Sequence, residues 1–242
     1  MGDKVVKISV VVPCHNSAEY ITQTVNQIYE ALPPNSEIIL IENGSLDATL
    51  EVCKKLSKSL DFPNSKVECI QAPKGLGSAL RAGIELSVGE ILIFMADDLP
   101  FGIQEIIEVE AHSKNIAGNI YAISKYVPES EFYVPFFRKF VSWGFRLLRI
   151  ALLGLKMRDS QGSFFGDGDL IRKISKTCRE DGFLITTEFF ATALQRNIRP
   201  RELPAGKGSE QIRPTTIKFR DLWIMLVSLY QLRQRILKTW GN

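Results

Sequence analysis

The strongest constraint in this chain is a rhythm. Five short apolar runs, Ile8–Pro13, Glu37–Ile41, Lys66–Ile70, Glu90–Met95 and Asn119–Ser124, are dominated by Ile, Val and Leu over four to six residues. Runs of that length, bounded by Gly, Pro, Asn and Ser, predict buried strands. Between them, Ala18–Leu32, Leu46–Leu60, Leu76–Val88 and Gly102–Ser113 carry apolar residues at helical spacing. Strands apolar on both faces, each followed by a helix long enough to cross over, predict a doubly wound α/β domain. Its sheet is mostly parallel and covered on both sides.

The polar residues fall just after the strands: Cys14-His15-Asn16, Glu42-Asn43-Gly44-Ser45, Pro73-Lys74-Gly75 and Asp97-Asp98. In an open parallel sheet these four segments line the edge at the strands' carboxyl ends, which is where ligands bind. One site built from four separate segments is therefore expected.

Composition excludes other classes. With 45% hydrophobic and 24% charged residues the chain is neither disordered nor fibrous. Its four cysteines lack Cys-x-x-Cys spacing and its two histidines, His15 and His112, lie far apart, so neither a zinc cluster nor a disulfide framework is expected. A reducing, cytoplasmic setting follows from that usage, and the apolar run Val5–Pro13, broken by Lys7, does not read as a signal peptide. The net charge of +3 conceals a division: residues 1–110 hold eight Lys and Arg against sixteen Asp and Glu, and residues 111–242 hold twenty-two against eleven. A basic second half predicts an anionic partner. Glu131–Arg158 interleaves aromatic residues with six basic ones, and Asp221–Lys238 pairs an apolar run with Arg233, Arg235 and Lys238. Basic residues embedded among bulky apolar ones fit an amphipathic helix at a membrane surface better than a nucleic-acid face. A core helix with snorkelling arginines is the other reading of Phe140–Leu155.

Asp97-Asp98 is the sharpest chemical signal. Adjacent carboxylates after a buried strand repel each other unless a cation joins them, and all-oxygen ligands select Mg²⁺ or Mn²⁺. An acidic pair at the N-terminus of the next helix would account for them too. Lys74-Gly75-Leu76-Gly77-Ser78 lacks the third glycine of a dinucleotide fingerprint and the Gly-Lys-Ser/Thr of a P-loop, and reads as a tight turn. Ser45 is a candidate N-cap.

Together these segments resemble a family. VPCHNSAEYI, IENGSLDATLEV and KGLGSALRAGIELSVGEILIFMADDL resemble the VPTYNE, DDGSxDxT, GxGxAxxxGxxxAxGD and DxD elements of family 2 glycosyltransferases of the GT-A fold. Ser124-Lys125-Tyr126, the Arg138-xxx-Ser142 pair, Asp159-Ser160-Gln161-Gly162-Ser163-Phe164, Asp181-Gly182-Phe183 through Glu188 and Leu203-Pro204 are similar to the later elements of dolichol-phosphate mannosyltransferases and other polyprenyl-phosphate glycosyltransferases. The likeness runs over about residues 7–215. Departures are Ala96 for the first Asp of DxD, Glu42-Asn43 for an acidic pair, Ser17 for Glu, His15 for Tyr and Lys125 for Arg.

The resemblance implies an inverting transfer of one sugar, mannose or glucose, from GDP-mannose or UDP-glucose to a dolichyl or other polyprenyl phosphate. Pro13, His15, Ser17, Ile41, Asn43, Lys74 and Asp97 would bind the donor. Asp97 and Asp98 would hold Mg²⁺ or Mn²⁺, and Asp98, Lys125, Arg138 and Ser142 would carry catalysis. Asp159 and Glu188 would position rather than act as bases. The implied organisation is a GT-A domain over residues 1–210, with a nucleotide-sugar half to about 124 and an acceptor half with amphipathic interface helices from 125. A basic amphipathic helix over 211–242 would follow, and attachment would be peripheral, on the cytoplasmic face of a membrane. A non-lipid acceptor, or a nucleotide-sugar binding subunit without turnover, remain the alternatives.

Overall fold

A computed structural model describes residues 7–59, 62–208 and 219–240; within these, the side chains of residues 137, 138, 219–225 and 237–240 lie outside the description. Each predicted strand forms, within a residue or two of its expected bounds: β1 (Ile8–Cys14), β2 (Ser36–Glu42), β3 (Ser65–Gln71), β4 (Ile91–Phe94) and β5 (Ile120–Ser124). The helices between them are α1 (Ile21–Ala31), α2 (Thr49–Ser57), α3 (Leu76–Leu86) and α4 (Gln104–His112). Alternation sorts the strand residues onto two faces. Val10, Val12, Ile38 and Leu40 pack with Ile21, Val25 and Ile28 of α1, Cys53 and Leu56 of α2 and Ile106 and Val109 of α4. Val11, Ile39 and Ile41 pack on the opposite face with Ala79, Leu80 and Ile84 of α3. The sheet is buried on both sides, as its uninterrupted apolar strands require.

Among the described residues the sheet has seven strands in the order β3-β2-β1-β4-β6-β5-β7. Strands β1 to β4 are mutually parallel neighbours, with Pro13 opposite Ile41 and Val11 opposite Phe94. The mostly parallel sheet expected is found, and its antiparallel exception lies beyond β4. A short strand, β6 (Phe164–Asp167), lies antiparallel between β4 and β5, and β7 (Arg201–Pro204) pairs parallel to β5 at the edge. β6 is four residues long and flanked by glycine, so it carries no run long enough to show a period. Tertiary pairing alone makes it a strand, and it buries Phe164 and Phe165 on opposite faces.

The second half adds α5 (Phe136–Leu153), α6 (Gly168–Ser175), α7 (Ile185–Gln195) and α8 (Phe219–Trp240). α5 ends where Gly154 takes the left-handed conformation at φ +67. α8 is not a detached tail: Leu229 and Leu232 are buried with Leu184 against Phe145, Leu152 and Leu153. Residues 209–218 of the expected C-terminal segment lie outside the described residues.

Candidate active site

The carboxyl ends of β1 to β4 are tied together by their polar turns. After Cys14 the chain turns at Asn16, whose φ of +52 is one that Asn tolerates. The Asn16 N–H donates to Ser45 Oγ (3.1 Å), and its Oδ1 accepts the Leu46 N–H (2.8 Å). Ser45 is therefore not the cap of α2. No side chain caps α2, whose N-cap is Ala48; Asp47 beside it ties the turn, its Oδ1 accepting the Thr49 N–H (3.0 Å) and its Oδ2 the Ala18 N–H (3.2 Å). Gly44 reaches φ +81 and lies so close to Lys74 that an added Cβ would meet the Lys74 Cβ at 3.2 Å. Lys74 is thus delivered, exposed, to the same edge.

Two carboxylates here are pulled down. Although burial pushes Glu42 up, the Ser45 N–H (2.5 Å) and Gln71 Nε2 (3.3 Å) hold it below the ordinary carboxylate range. Asp47 is lowered likewise, its slight desolvation outweighed by Thr49 and Ala18. Pro13, Ile41 and Ser17 are buried, and the Ser17 N–H donates to Thr49 Oγ1 (2.7 Å). Asn43 is 5% exposed, with its N–H on the Cys14 carbonyl (3.2 Å) and its Oδ1 without a hydrogen-bond partner among the described residues. A buried acceptor left open at the end of a strand is suited to a donor group on a ligand.

Asp97 behaves oppositely. Its Oδ2 accepts the His15 N–H (3.3 Å) and the Tyr20 hydroxyl (3.4 Å), and its carbonyl accepts from Thr24 Oγ1 (2.7 Å). Burial, reinforced by the Asp98 charge and opposed by the His15 N–H, pushes the Asp97 carboxyl up to about 6. α4 begins only at Gln104, after a Leu99 at φ +40, and the acid of its first turn is Glu105, so the pair is not a helix-start device. Two neighbouring carboxylates whose charges penalise each other fit a hard divalent cation. No cluster of three or more His, Cys, Asp or Glu occurs among the described residues. A cation at Asp97 and Asp98 would therefore complete its shell with ligand oxygens and water.

The glycine turn after β3 has a different duty. The Gly77 N–H donates to the Asp181 carbonyl (2.8 Å), and a Cβ at Gly77 would stand 2.0 Å from the Glu180 oxygen. Ser78 Oγ and Arg81 also bind Asp181. Glu188 accepts the N–H groups of Arg179 (2.8 Å) and Glu180 (2.7 Å) through Oε2, fixing that same loop. The glycines permit close packing rather than cradle a phosphate.

A second group of predicted residues gathers beside β5. Lys125 Nζ lies over the rings of Phe101 (5.5 Å) and Phe132 (5.4 Å), and its N–H faces Asp159 Oδ2 (3.5 Å). Ser142 Oγ shares a 2.6 Å hydrogen bond with the Tyr126 hydroxyl. Lys125, Tyr126, Lys139, Ser142, Trp143 and Arg146 wall a cavity of about 460 Å³. Arg138 lies on α5, but its side chain is outside the description. Phe101 comes three residues after Asp98, so one loop joins the acidic turn to the cationic cavity. Sequence reasoning did not single out Tyr20, Thr24 or Glu202, whose carboxylate accepts the N–H groups of Arg158 and Asp159 (2.9 Å each), and it met Trp143 and Arg149 only as members of the aromatic and basic stretch Glu131–Arg158. Tyr20 and Thr24 carried a signal in their helical spacing behind the first turn.

This frame recurs in known structures. Glucosyl-3-phosphoglycerate synthase from Mycobacterium tuberculosis, solved with Mn²⁺, UDP-glucose and phosphoglyceric acid, superposes with a TM-score of 0.66 at 17% identity, over 94% of this chain and 79% of that one. The fold is thus GT-A. Residues 9–166 match the family model Glycosyl transferase family 2, and the chain belongs to that family. Among curated relatives, a dolichol-phosphate mannosyltransferase from Pyrococcus furiosus is 31% identical over 166 residues, 66% of this chain and 45% of that protein. A poly-beta-1,6-N-acetyl-D-glucosamine synthase from Staphylococcus epidermidis is 28% identical over 118 residues, 46% of this chain and 28% of that protein. The chain spans less than half the length of the curated relatives it matches. No helix among the described residues is long and apolar enough to cross a membrane.

Proposed function

We propose that this protein transfers a mannosyl or glucosyl unit from a nucleotide diphosphate sugar to a polyprenyl phosphate, with inversion, while peripheral to the cytoplasmic face of a membrane. The observation that carries the acceptor is the coupling of charge and apolar surface on α5. Lys139, Ser142 and Arg146 face the cavity, Trp143 (57% exposed) stands at its wall, and Phe140 (63%) and Leu147 are open on the same helix. A phosphate head needs the first set and a lipid tail the second. The Pyrococcus relative supports the same acceptor. The functional unit is read as residues 1–210, donor-binding to about 124 and acceptor-binding beyond, with the C-terminal helix adding to the membrane-facing surface.

In this reading the donor lies across the ends of β1, β2 and β4. Its base and ribose sit near Pro13, His15, Ser17, Ile41 and Asn43, with Lys74 at the rim. Asp97 and Asp98 would hold Mg²⁺ or Mn²⁺, which when bound neutralises the leaving diphosphate. An acceptor phosphate oxygen attacks the anomeric carbon as the bond to the diphosphate breaks, releasing the nucleoside diphosphate. The acceptor is already anionic at neutral pH, so no side chain need remove a proton. Lys125, Arg138 and Ser142 orient that oxygen, which is the larger part of the task. Asp159 steadies Lys125 through its backbone.

The test is transfer of radiolabel from GDP-mannose, with UDP-glucose in parallel, to dolichyl phosphate in detergent with Mn²⁺ or Mg²⁺. Metal-dependent label in the organic phase is expected. Intact donor binding with label only on a water-soluble acceptor such as phosphoglyceric acid would replace the lipid reading, and binding with no transfer would favour a subunit without turnover.

A further inference from the structure

The arginines of α5 are not alike. Arg149 is 1% exposed, its guanidinium 5.4 Å from the Phe145 ring. Nη2 donates to the carbonyls of Met157 (2.9 Å) and Arg158 (3.4 Å), while Nε and Nη1 have no hydrogen-bond partner among the described residues. Leaving charged donors buried and unpaired is costly, so donors kept in that state call for a partner, whether an ordered water or a bound anion. Burial weakens the hold of Arg149 on its proton, bringing it to about 10, with Asp159 and Glu202 countering that loss. It remains a cation at neutral pH.

Arg149 also lines an inner cavity of about 90 Å³, bounded by Asp159, Ser160 and Gln161. Lys125, Tyr126, Ser142 and Arg158 wall both this space and the larger cavity, so the two adjoin, with the buried Arg149 on the smaller one. The residues that line this space, Lys125, Arg149 and Arg158 against Asp159, leave positive charge in excess even with Glu202 behind Arg158 and Asp159, which suits an anionic phosphate head and not a sugar hydroxyl.

We infer that Arg149 is the inner anchor of the acceptor: its Nε–H and Nη1–H take up the oxygens of a phosphomonoester that enters past Ser142. The inference deepens the reading of this cavity as the acceptor site. The phosphate can belong to a lipid or to a small soluble acceptor, since Arg149 meets only the head.

The full chain, labelled with ¹⁵N-arginine, is titrated with inorganic phosphate while the Arg149 Nε–H resonance, identified by its loss in Arg149→Lys, is followed. Acceptor and donor KM are then measured for wild type and Arg149→Lys, with a short-chain polyprenyl phosphate in detergent and with 3-phosphoglycerate in water. The expected result is a phosphate-dependent shift of that resonance and a rise in acceptor KM of roughly 10- to 100-fold, with donor KM within about twofold. The acceptor whose KM responds identifies the source of the phosphate. An unresponsive resonance overturns the inference. So does a shift without change in acceptor KM, or an equal rise in both KM values, which would confine Arg149 to bracing Met157 and Arg158. If wild type uses neither acceptor, the transferase reading fails while the phosphate titration still decides the Arg149 seat. Should the lysine variant fold poorly, Arg149→Gln identifies the resonance and the wild-type titration stands.

Discussion

The two halves of the site solve opposite electrostatic problems. At the ends of β1 to β4 the chain concentrates carboxylates, Glu42 and Asp47 held low by N–H donors and Asp97 raised to about 6 by burial. Beside β5 and α5 it concentrates cations, Lys125 over two rings and Arg149 beneath the surface. In the proposed reading, the acids would receive a diphosphate that arrives with a divalent cation, and the cations would receive a phosphate that arrives bare. The division of charge between residues 1–110 and 111–242 is this contrast written along the chain, and keeping the two kinds of group apart prevents them from neutralising each other.

The comparison can be broken most severely at Asp98. Asp98→Asn is expected to lower transfer by about 10³-fold or more, from loss of charge stabilisation at the leaving diphosphate. Calorimetry should find Mn²⁺-dependent donor binding lost and acceptor binding unchanged; loss of both would show that the halves are not separable. Arg138→Ala, on the other side, should raise acceptor KM about 10- to 50-fold with donor KM nearly constant, the size of a charge-assisted phosphate contact. Equal effects on both constants would remove Arg138 from the acceptor seat.

Asp97→Asn tests the cost of the acidic edge. The folded carboxyl is raised above its ordinary 3.8 to about 6, so the native chain binds the proton more tightly than the unfolded chain. Stability therefore falls as pH rises from about 4 to 6, and the variant should recover about 1–2 kcal/mol above that window. Scanning calorimetry at pH 8 should show Tm higher by about 2–6 °C while transfer is impaired. Glu105→Gln is the control away from the edge. Glu105 is wholly buried against Ser163 Oγ, and burial pushes it from 4.5 up to about 7. The gain in stability should open between about pH 4.5 and 7, amount to about 1 kcal/mol, and leave both KM values unchanged.

Much of the donor edge was legible because its signals are local. A strand of buried Ile and Val announces itself in six residues, and the turn after it must expose its polar groups at one edge once the crossovers are right-handed. His15, Asn43, Lys74 and Asp97 were found in that way and lie on that edge. Family resemblance supplied Lys125 and Ser142, which composition alone would have left as two residues among many.

What the sequence determined by itself, then, was the class of fold, the order β1 to β5, the four turns on one edge and the opposed charges of the two halves. Each follows from the period of neighbouring residues or from their count. Only the tertiary structure decided that β6 slips antiparallel between β4 and β5, that Asp47 rather than Ser45 tethers α2, and that the glycines after β3 make room for Glu180 and Asp181. It alone set Arg149 apart from Arg146, three residues earlier on the same helix. These depend on contacts between residues as much as a hundred positions apart, such as Ser78 with Asp181. No local pattern encodes which side chain such a contact will bury, and burial decides what a charged group can do.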